Sequence, residues 1–251
     1  MKFDWGPLRA EFREWRAAGL TLPFWWRDDD AVAPSEALDH LGALSAAVEL
    51  PVHLAIIPKQ VTADLAQTLH DTFVPVVHGW AHLSHTPEGI KNAEFGAGRP
   101  PEVAQADLAA ALERMTMLFG NRLAMMFVPP WNRMDVALMP ALAALGYDAV
   151  STYQPRNQPF AAPGVAQINT HLDPIYWRGT RGLVAPEALV AQLVALLKDR
   201  RAGLTDNHEP LGYLTHHLVH DDDIWNFSEQ FLKEICEGPV RLYRHDRKGE
   251  L

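Results

Sequence analysis

The chain has 251 residues, 48% of them hydrophobic, and a formal net charge of −9. That length suits one barrel-sized α/β domain spanning residues 1–251, and the acidic balance excludes a phosphate-neutralising nucleic-acid surface. Cys236 is the only cysteine, which excludes a disulfide framework and a thiolate zinc cage. No run of about 18 apolar residues offers a membrane span. The opening Met1–Pro7 lacks the apolar core of a signal peptide, so a cytoplasmic location is expected. Basic residues gather at Lys198, Arg200 and Arg201 and again at Arg241, Arg244, Arg247 and Lys248, and read as a solvated helix end and a tail.

Taken in chain order, residues 7–18 predict an amphipathic helix with Leu8, Phe12, Trp15 and Ala18 on one face. Residues 22–26 predict a strand that runs into Arg27-Asp28-Asp29-Asp30. Pro34-Ser35-Glu36 opens a helix over 37–48. Strands over 52–57 and 73–77 flank a helix over 61–70, and the second strand delivers His78. The stretch 83–100 has little periodicity and is expected to be a loop lining a substrate groove, with Arg99 as a contact. A helix over 101–119 precedes a strand over 123–128 that ends at Pro129-Pro130-Trp131. A helix over 135–145 stops at Gly146, and strands follow over 149–153 and 165–169. The last elements are a helix over 186–204, a strand over 211–215 that delivers His216, a helix over 223–237 and a strand over 240–244. Apolar strands without alternation, each followed by a helix, imply a parallel sheet covered on both faces. About seven such units predict a distorted, TIM-like (β/α)7-type barrel with its chemistry at the carboxyl ends of the strands.

Three polar clusters lie at such ends. His78 and His82 are four residues apart, a spacing that puts two imidazoles on one helical face and suits one divalent metal. The aspartate triplet offers a third ligand and a base, and charge alone does not say which aspartate does which. His216, His217 and His220 offer a general acid, since an imidazole exchanges its proton near neutrality. Asp221-Asp222-Asp223 reads as a helix cap, with orientation of a histidine as the alternative. Trp80, Pro130 and Trp131 are candidate contacts for a sugar ring, although each tryptophan reads nearly as well as core.

The ordered set Arg27-Asp28-Asp29-Asp30, His78-Gly79-Trp80-Ala81-His82, Phe127-Val128-Pro129-Pro130-Trp131 and Leu214-Thr215-His216 resembles the motifs of the polysaccharide deacetylase family, the NodB-homology or carbohydrate esterase 4 group. The resemblance covers roughly residues 21–221 and implies Asp29 as base, Asp30, His78 and His82 as ligands of one divalent metal, and His216 as general acid. A register shifted by one would make Asp28 the base and Asp29 the ligand. The chain departs from the family pattern at Gly79, where Ser or Thr is usual, and at Val128, which holds the place of an arginine that orients the base. Arg27 or Arg133 is the expected substitute, and Asp173 loosely resembles the aspartate of a fourth motif. The resemblance implies hydrolysis, by metal-activated water, of an acetyl group from an N-acetylated sugar, with a small or lipid-linked glycan as substrate. Zinc is the expected metal, and cobalt and nickel accept the same ligands. The alternatives are hydrolysis of a cyclic amide or imide on the same fold, and a catalytically weak metal- or glycan-binding protein.

Overall fold

Ten consecutive residues, Leu22–Ala31, form β1, whose side chains are buried throughout except at half-exposed Asp30. The computed structural model describes residues 2–245, so Arg247 and Lys248 of the basic tail lie outside the described residues. Before β1 comes α1 (Gly6–Ala17), and after it α2 (Glu36–Ala47), β2 (Val52–Ile56), α3 (Ala63–Thr68) and β3 (Phe73–His78). After a long irregular stretch come α4 (Pro101–Phe119), β4 (Met126–Val128), α5 (Met139–Leu145), β5 (Ala149–Val150), β6 (Phe160–Ala162) and β7 (Val165–Gln167). The chain continues through α6 (Pro186–Arg201), β8 (Leu211–Thr215), α7 (Asp222–Cys236) and β9 (Val240–Leu242).

The strands form one curled sheet in the order β6-β7-β5-β4-β3-β2-β1-β8, with β9 beside β1. Every pairing is parallel except the β6–β7 hairpin. Isolated bridges Tyr153–Thr170 and Leu172–Tyr213 carry the sheet from the β7 edge across to β8. The result is the distorted barrel expected from the strand pattern, closed by single bridges rather than by a continuous ladder.

Both faces of the strands are apolar, which is why the sequence shows no alternation, yet the two faces differ in size. Trp25, Ala55, Val76, Met126 and Ala149 belong to a small inner cluster. Their neighbours Trp26, Leu54, Val77, Phe127 and Val150 join the large outer core with helix residues such as Leu8, Leu41 and Leu108. The alternation of side chains along a strand therefore sorts residues into barrel interior and helix-facing layer. On β1 it places Trp25, Arg27 and Asp29 inward and Trp26 and Asp28 outward.

Several predicted ends move. The strand expected over 149–153 pairs regularly only at Ala149–Val150, and the helix expected to Leu204 ends at Arg201. The helix expected over 135–145 is a 3-10 turn, Val136–Leu138, leading into α5. The β6 strand was not expected, because its Pro- and Gly-rich surroundings read as loop. Among the described residues no helix is long and apolar enough to cross a membrane.

Candidate active site and metal centre

The three aspartates at the end of β1 have three different partners. Asp28, on the helix-facing side, is fully buried and accepts from the Thr215 hydroxyl at 2.6 Å and from the His217 backbone N–H at 3.0 Å. Its other oxygen lies 2.5 Å from His217 Nδ1. Burial pushes the Asp28 carboxyl up, but the charge and hydrogen bond of His217, with the Thr215 hydroxyl, outweigh it and hold the group low. Burial likewise pushes the His217 imidazole down, and Asp28 more than reverses this. The pair is thus a buried ion pair outside the barrel wall. His217→Ala would leave the Asp28 carboxylate buried with only neutral donors. A loss of about 3 kcal/mol of unfolding free energy is expected, at the low end for a broken buried pair because Thr215 and the 217 N–H remain. Denaturant unfolding measures it.

Asp29 points into the barrel beside Arg27, two residues back on the same face. The Arg27 guanidinium is fully buried and grips Asp29 with two bonds of 2.9 Å, Nε to Oδ1 and Nη2 to Oδ2. Its remaining donors reach Ser151 Oγ and Asn132 Oδ1, both at 2.7 Å. Such a planar fork fixes a carboxylate in orientation as well as in charge. Of the two arginines expected near the base, Arg27 is the one that grips Asp29; Arg133 donates instead to the Asn92 carbonyl.

Asp30 would share the outward face of Asp28 if β1 stayed regular. The register with β2 shifts between Asp28 and Ala31, and Asp30 takes a left-handed backbone with φ of 75°. This bulge re-aims its carboxylate into the mouth of the barrel. There Asp30 Oδ1 lies 3.1 Å from His78 Nε2 and 3.3 Å from His82 Nε2. Burial pushes the Asp30 carboxyl up, but His78, His216 and His82 hold it well below the usual carboxylate range.

His78 ends β3 and is buried. Its Nδ1–H donates to the Val128 carbonyl at 3.0 Å, which leaves the Nε2 lone pair facing Asp30. The route from His78 to His82 differs from the helical turn suggested by their spacing. The chain is irregular here, with left-handed backbone at Gly79 (φ 57°) and His82 (φ 55°). The turn is held by Glu94, a fully buried residue whose carboxylate accepts from the backbone N–H groups of Trp80 at 3.1 Å, Ala81 at 2.8 Å and His82 at 3.3 Å. A Cβ at position 79 would lie 2.2 Å from Glu94 Oε2 and 2.5 Å from Pro130 Cγ. Glycine is therefore required at the position where the family usually has Ser or Thr, because the Glu94 carboxylate occupies that space. Sequence reasoning placed Glu94 only within the loop 83–100 expected to line the groove; its place between apolar Ala93 and Phe95 is the one local signal of burial. Glu94→Ala is expected to weaken metal binding about 10–100-fold, the usual cost of losing a residue that orients ligands. Competition with a chelating dye measures it.

His216 follows β8 and, opposite in facing to Thr215, turns inward. Its Nε2 lies 4.0 Å from Asp29 Oδ2. The Trp177 ring meets it edge-on with centroids 4.7 Å apart, and Trp177 Nε1 donates to Asp173 at 2.8 Å. Burial pushes the Asp173 carboxyl up, opposed by the charge of His216. His220 is half-buried, and desolvation pulls its pKa down to about 4. Asp221 caps α7 by accepting from the Ile224 N–H at 2.8 Å, as the capping reading expected.

The candidate substrate contacts divide. Trp131 lies at the mouth, its ring 4.4 Å from that of His82, with φ of 56°. Pro130 is buried, and Trp80 packs against the outer core. The Arg99 guanidinium is committed to Asp107 and to the Glu94 carbonyl and lies over the Phe95 ring, so it braces the loop and is not free for a ligand.

Asp30, His78 and His82 offer ligand atoms that all lie within 4.8 Å of one another. One carboxylate and two neutral imidazoles are a donor set for a borderline divalent cation, and the orientation of His78 by Val128 fits that use. No protein-family model and no curated protein matches the sequence. Solved structures do match in fold. The family 4 carbohydrate esterase of Streptomyces lividans, in complex with acetate, is 11% identical over 90% of this chain and 94% of that one, with a TM-score of 0.54. A family 4 esterase of Streptococcus mutans is 11% identical over 96% and 92%, with a TM-score of 0.57. The peptidoglycan deacetylase PdaC of Bacillus subtilis is 12% identical over 88% and 87%, with a TM-score of 0.53. The chain has the fold of the family 4 carbohydrate esterases and polysaccharide deacetylases.

Proposed function

We propose that this protein is a metal-dependent hydrolase that removes the acetyl group from an N-acetylated sugar. The observation that carries the reading is the convergence of a three-residue metal-ligand set with Asp29 and His216, whose side chains approach to 4.0 Å on the same rim. Asp30, His78 and His82 would hold the ion, and zinc suits this set best. A divalent metal there supplies Lewis acidity toward the acyl carbonyl and toward water.

The chain's own groups divide the proton work. Asp29, fixed by Arg27, takes a proton from the attacking water, and His216 gives one to the departing amine. A backbone N–H near Trp131 would donate to the developing oxyanion. The strand-borne guanidinium of Arg27 removes the main ground for reading the chain as catalytically weak, since the missing motif arginine has a replacement.

The test is a hydrolysis screen of the zinc-loaded protein against N-acetylated sugars and cyclic imides. Free acetate from the sugars supports the reading. Ring opening of an imide without acetate release contradicts it.

A further inference from the structure

Past Val150 the chain of β5 runs on beside the chain past β7 in unchanged register, and one side chain replaces a rung of the ladder. The Ile168 N–H donates to the Val150 carbonyl at 3.0 Å, the Thr170 N–H to the Thr152 carbonyl at 3.0 Å and the Gln154 N–H to the Thr170 carbonyl at 2.8 Å. A regular parallel ladder would also take the Thr152 N–H to the Ile168 carbonyl. It goes instead to Asn169 Oδ1 at 2.9 Å. That oxygen accepts further from Thr152 Oγ1 at 2.9 Å and Gln167 Nε2 at 2.6 Å, and Asn169 Nδ2 donates to the Gln154 carbonyl at 2.8 Å. The last bond helps to impose the left-handed backbone of Gln154 (φ 84°), a conformation that persists only where contacts hold it.

The Asn169 amide lies on the outer side of the barrel wall, and what it holds faces inward. Along β5 Ala149 belongs to the inner cluster and Val150 to the outer core, so Ser151 turns inward again. There Ser151 Oγ and the Ser151 carbonyl accept from Arg27 Nη1 at 2.7 and 3.3 Å. The main chain of Asn169 reaches β1 as well. Its carbonyl accepts at 3.0 Å from Nε1 of Trp25, two residues before Arg27 on the same face. Its N–H is fixed by Glu209, a buried carboxylate 3.1 Å away that also accepts from the Arg156 N–H at 3.0 Å. Asn169 is itself buried, and its N–H, carbonyl, Oδ1 and Nδ2 are all engaged. It thus ties β1 to the extension of β5, the two stretches whose spacing sets the seat of Arg27.

We propose that Asn169 is a positioning residue for the base: from behind the wall it holds Ser151 and Thr152 where they seat the Arg27 guanidinium, and through Arg27 it sets the Asp29 carboxylate. The inference rests on the reading of Asp29 as base and extends it to a residue outside the reacting groups. The guanidinium fork is planar and rigid, so a displaced seat carries Asp29 with it.

The test compares Asn169→Ala with the unmodified full chain in two readouts. In the metal-free protein, hydrogen exchange of the Arg27 Nε–H reports the fork without any turnover; NMR follows it, and its loss in Arg27→Lys assigns it. Exchange is expected to speed up about 10-fold, what one net hydrogen bond is worth in a local opening equilibrium, while the amides of α2 keep their rates. In the zinc-loaded protein kcat for acetate release should fall about 10-fold, short of the roughly 10²-fold that a 1 Å misplacement can cost, with KM and zinc content unchanged. Ser35→Ala, which removes the side-chain cap of α2, is the control for stability alone and should change neither Arg27 exchange nor kcat. Thr152→Val removes only the hydroxyl donor to Asn169 Oδ1. It is the milder variant should Asn169→Ala not fold, and should speed exchange in the same direction. Unchanged exchange in the variant that folds, or an equal change in Ser35→Ala, overturns the positioning role. So does faster exchange with kcat intact in a chain that releases acetate. Faster exchange in a chain that never releases acetate contradicts the deacetylase reading and leaves the hold on Arg27 standing.

Discussion

Asp29→Asn is expected to lower turnover by about 10²–10⁴-fold, the usual worth of a positioned base, while leaving metal content unchanged. Asparagine keeps the size of the side chain and one acceptor for Arg27, but it cannot take a proton from water. The metal content should hold because the proposed ligand set comprises Asp30, His78 and His82 and excludes Asp29. Asp30→Asn should lower both metal content and turnover. The two variants differ by one position along β1, and the bulge between Asp28 and Ala31 is what separates their roles. Metal analysis alongside initial rates distinguishes them. If Asp28→Asn produced full metal content with lost turnover and Asp29→Asn did not, the assignment of the base would be wrong. The buried pairing of Asp28 with His217 predicts instead that Asp28→Asn chiefly loses stability.

His216→Ala is expected to cost a similar factor, about 10²–10⁴ in rate, with a dependence on the leaving group. An amine must be protonated as it departs, whereas the alcohol of an activated acetyl ester needs no such help. The penalty should therefore shrink for the ester. His216 faces the barrel interior at 4.0 Å from Asp29, against the edge of Trp177, so it is placed to donate across the reacting centre. His217 faces the helices and is tied to Asp28. Should His217→Ala show the leaving-group dependence and His216→Ala not, the two roles must be exchanged.

Legibility in the sequence varied with the kind of information each feature needs. The helix Pro101–Phe119 and the strand Leu211–Thr215 have the predicted ends because their patterns are uninterrupted. Strand alternation from the Trp25–Trp26 pair assigns Asp29 to the interior and Asp28 to the outer layer, and that could have been argued from the apolar residues alone. The turning of Asp30 toward the histidines could not, because it depends on a bulge formed against β2. The His78–His82 spacing pointed to two side chains that the fold does bring together, through a different local geometry. A helix was expected, and a loop cradled by Glu94 brings them together. That cradle joins residues twelve or more apart in a stretch without periodicity, so local pattern carries no sign of it. Arg99 was misread for the same reason: its partners are within its own loop and on α4. The Arg27 fork lay within the motif itself, two residues before its partner on the same strand face.

The measurement closest to the central claim is a zinc titration of the stripped protein, followed at each point for acetate released from an N-acetylglucosamine oligomer. Binding should saturate at one equivalent, with acetate release rising in proportion, and His78→Ala and His82→Ala should each weaken both. Zinc that binds without acetate release, or acetate release that persists without zinc and in both histidine variants, would contradict the account.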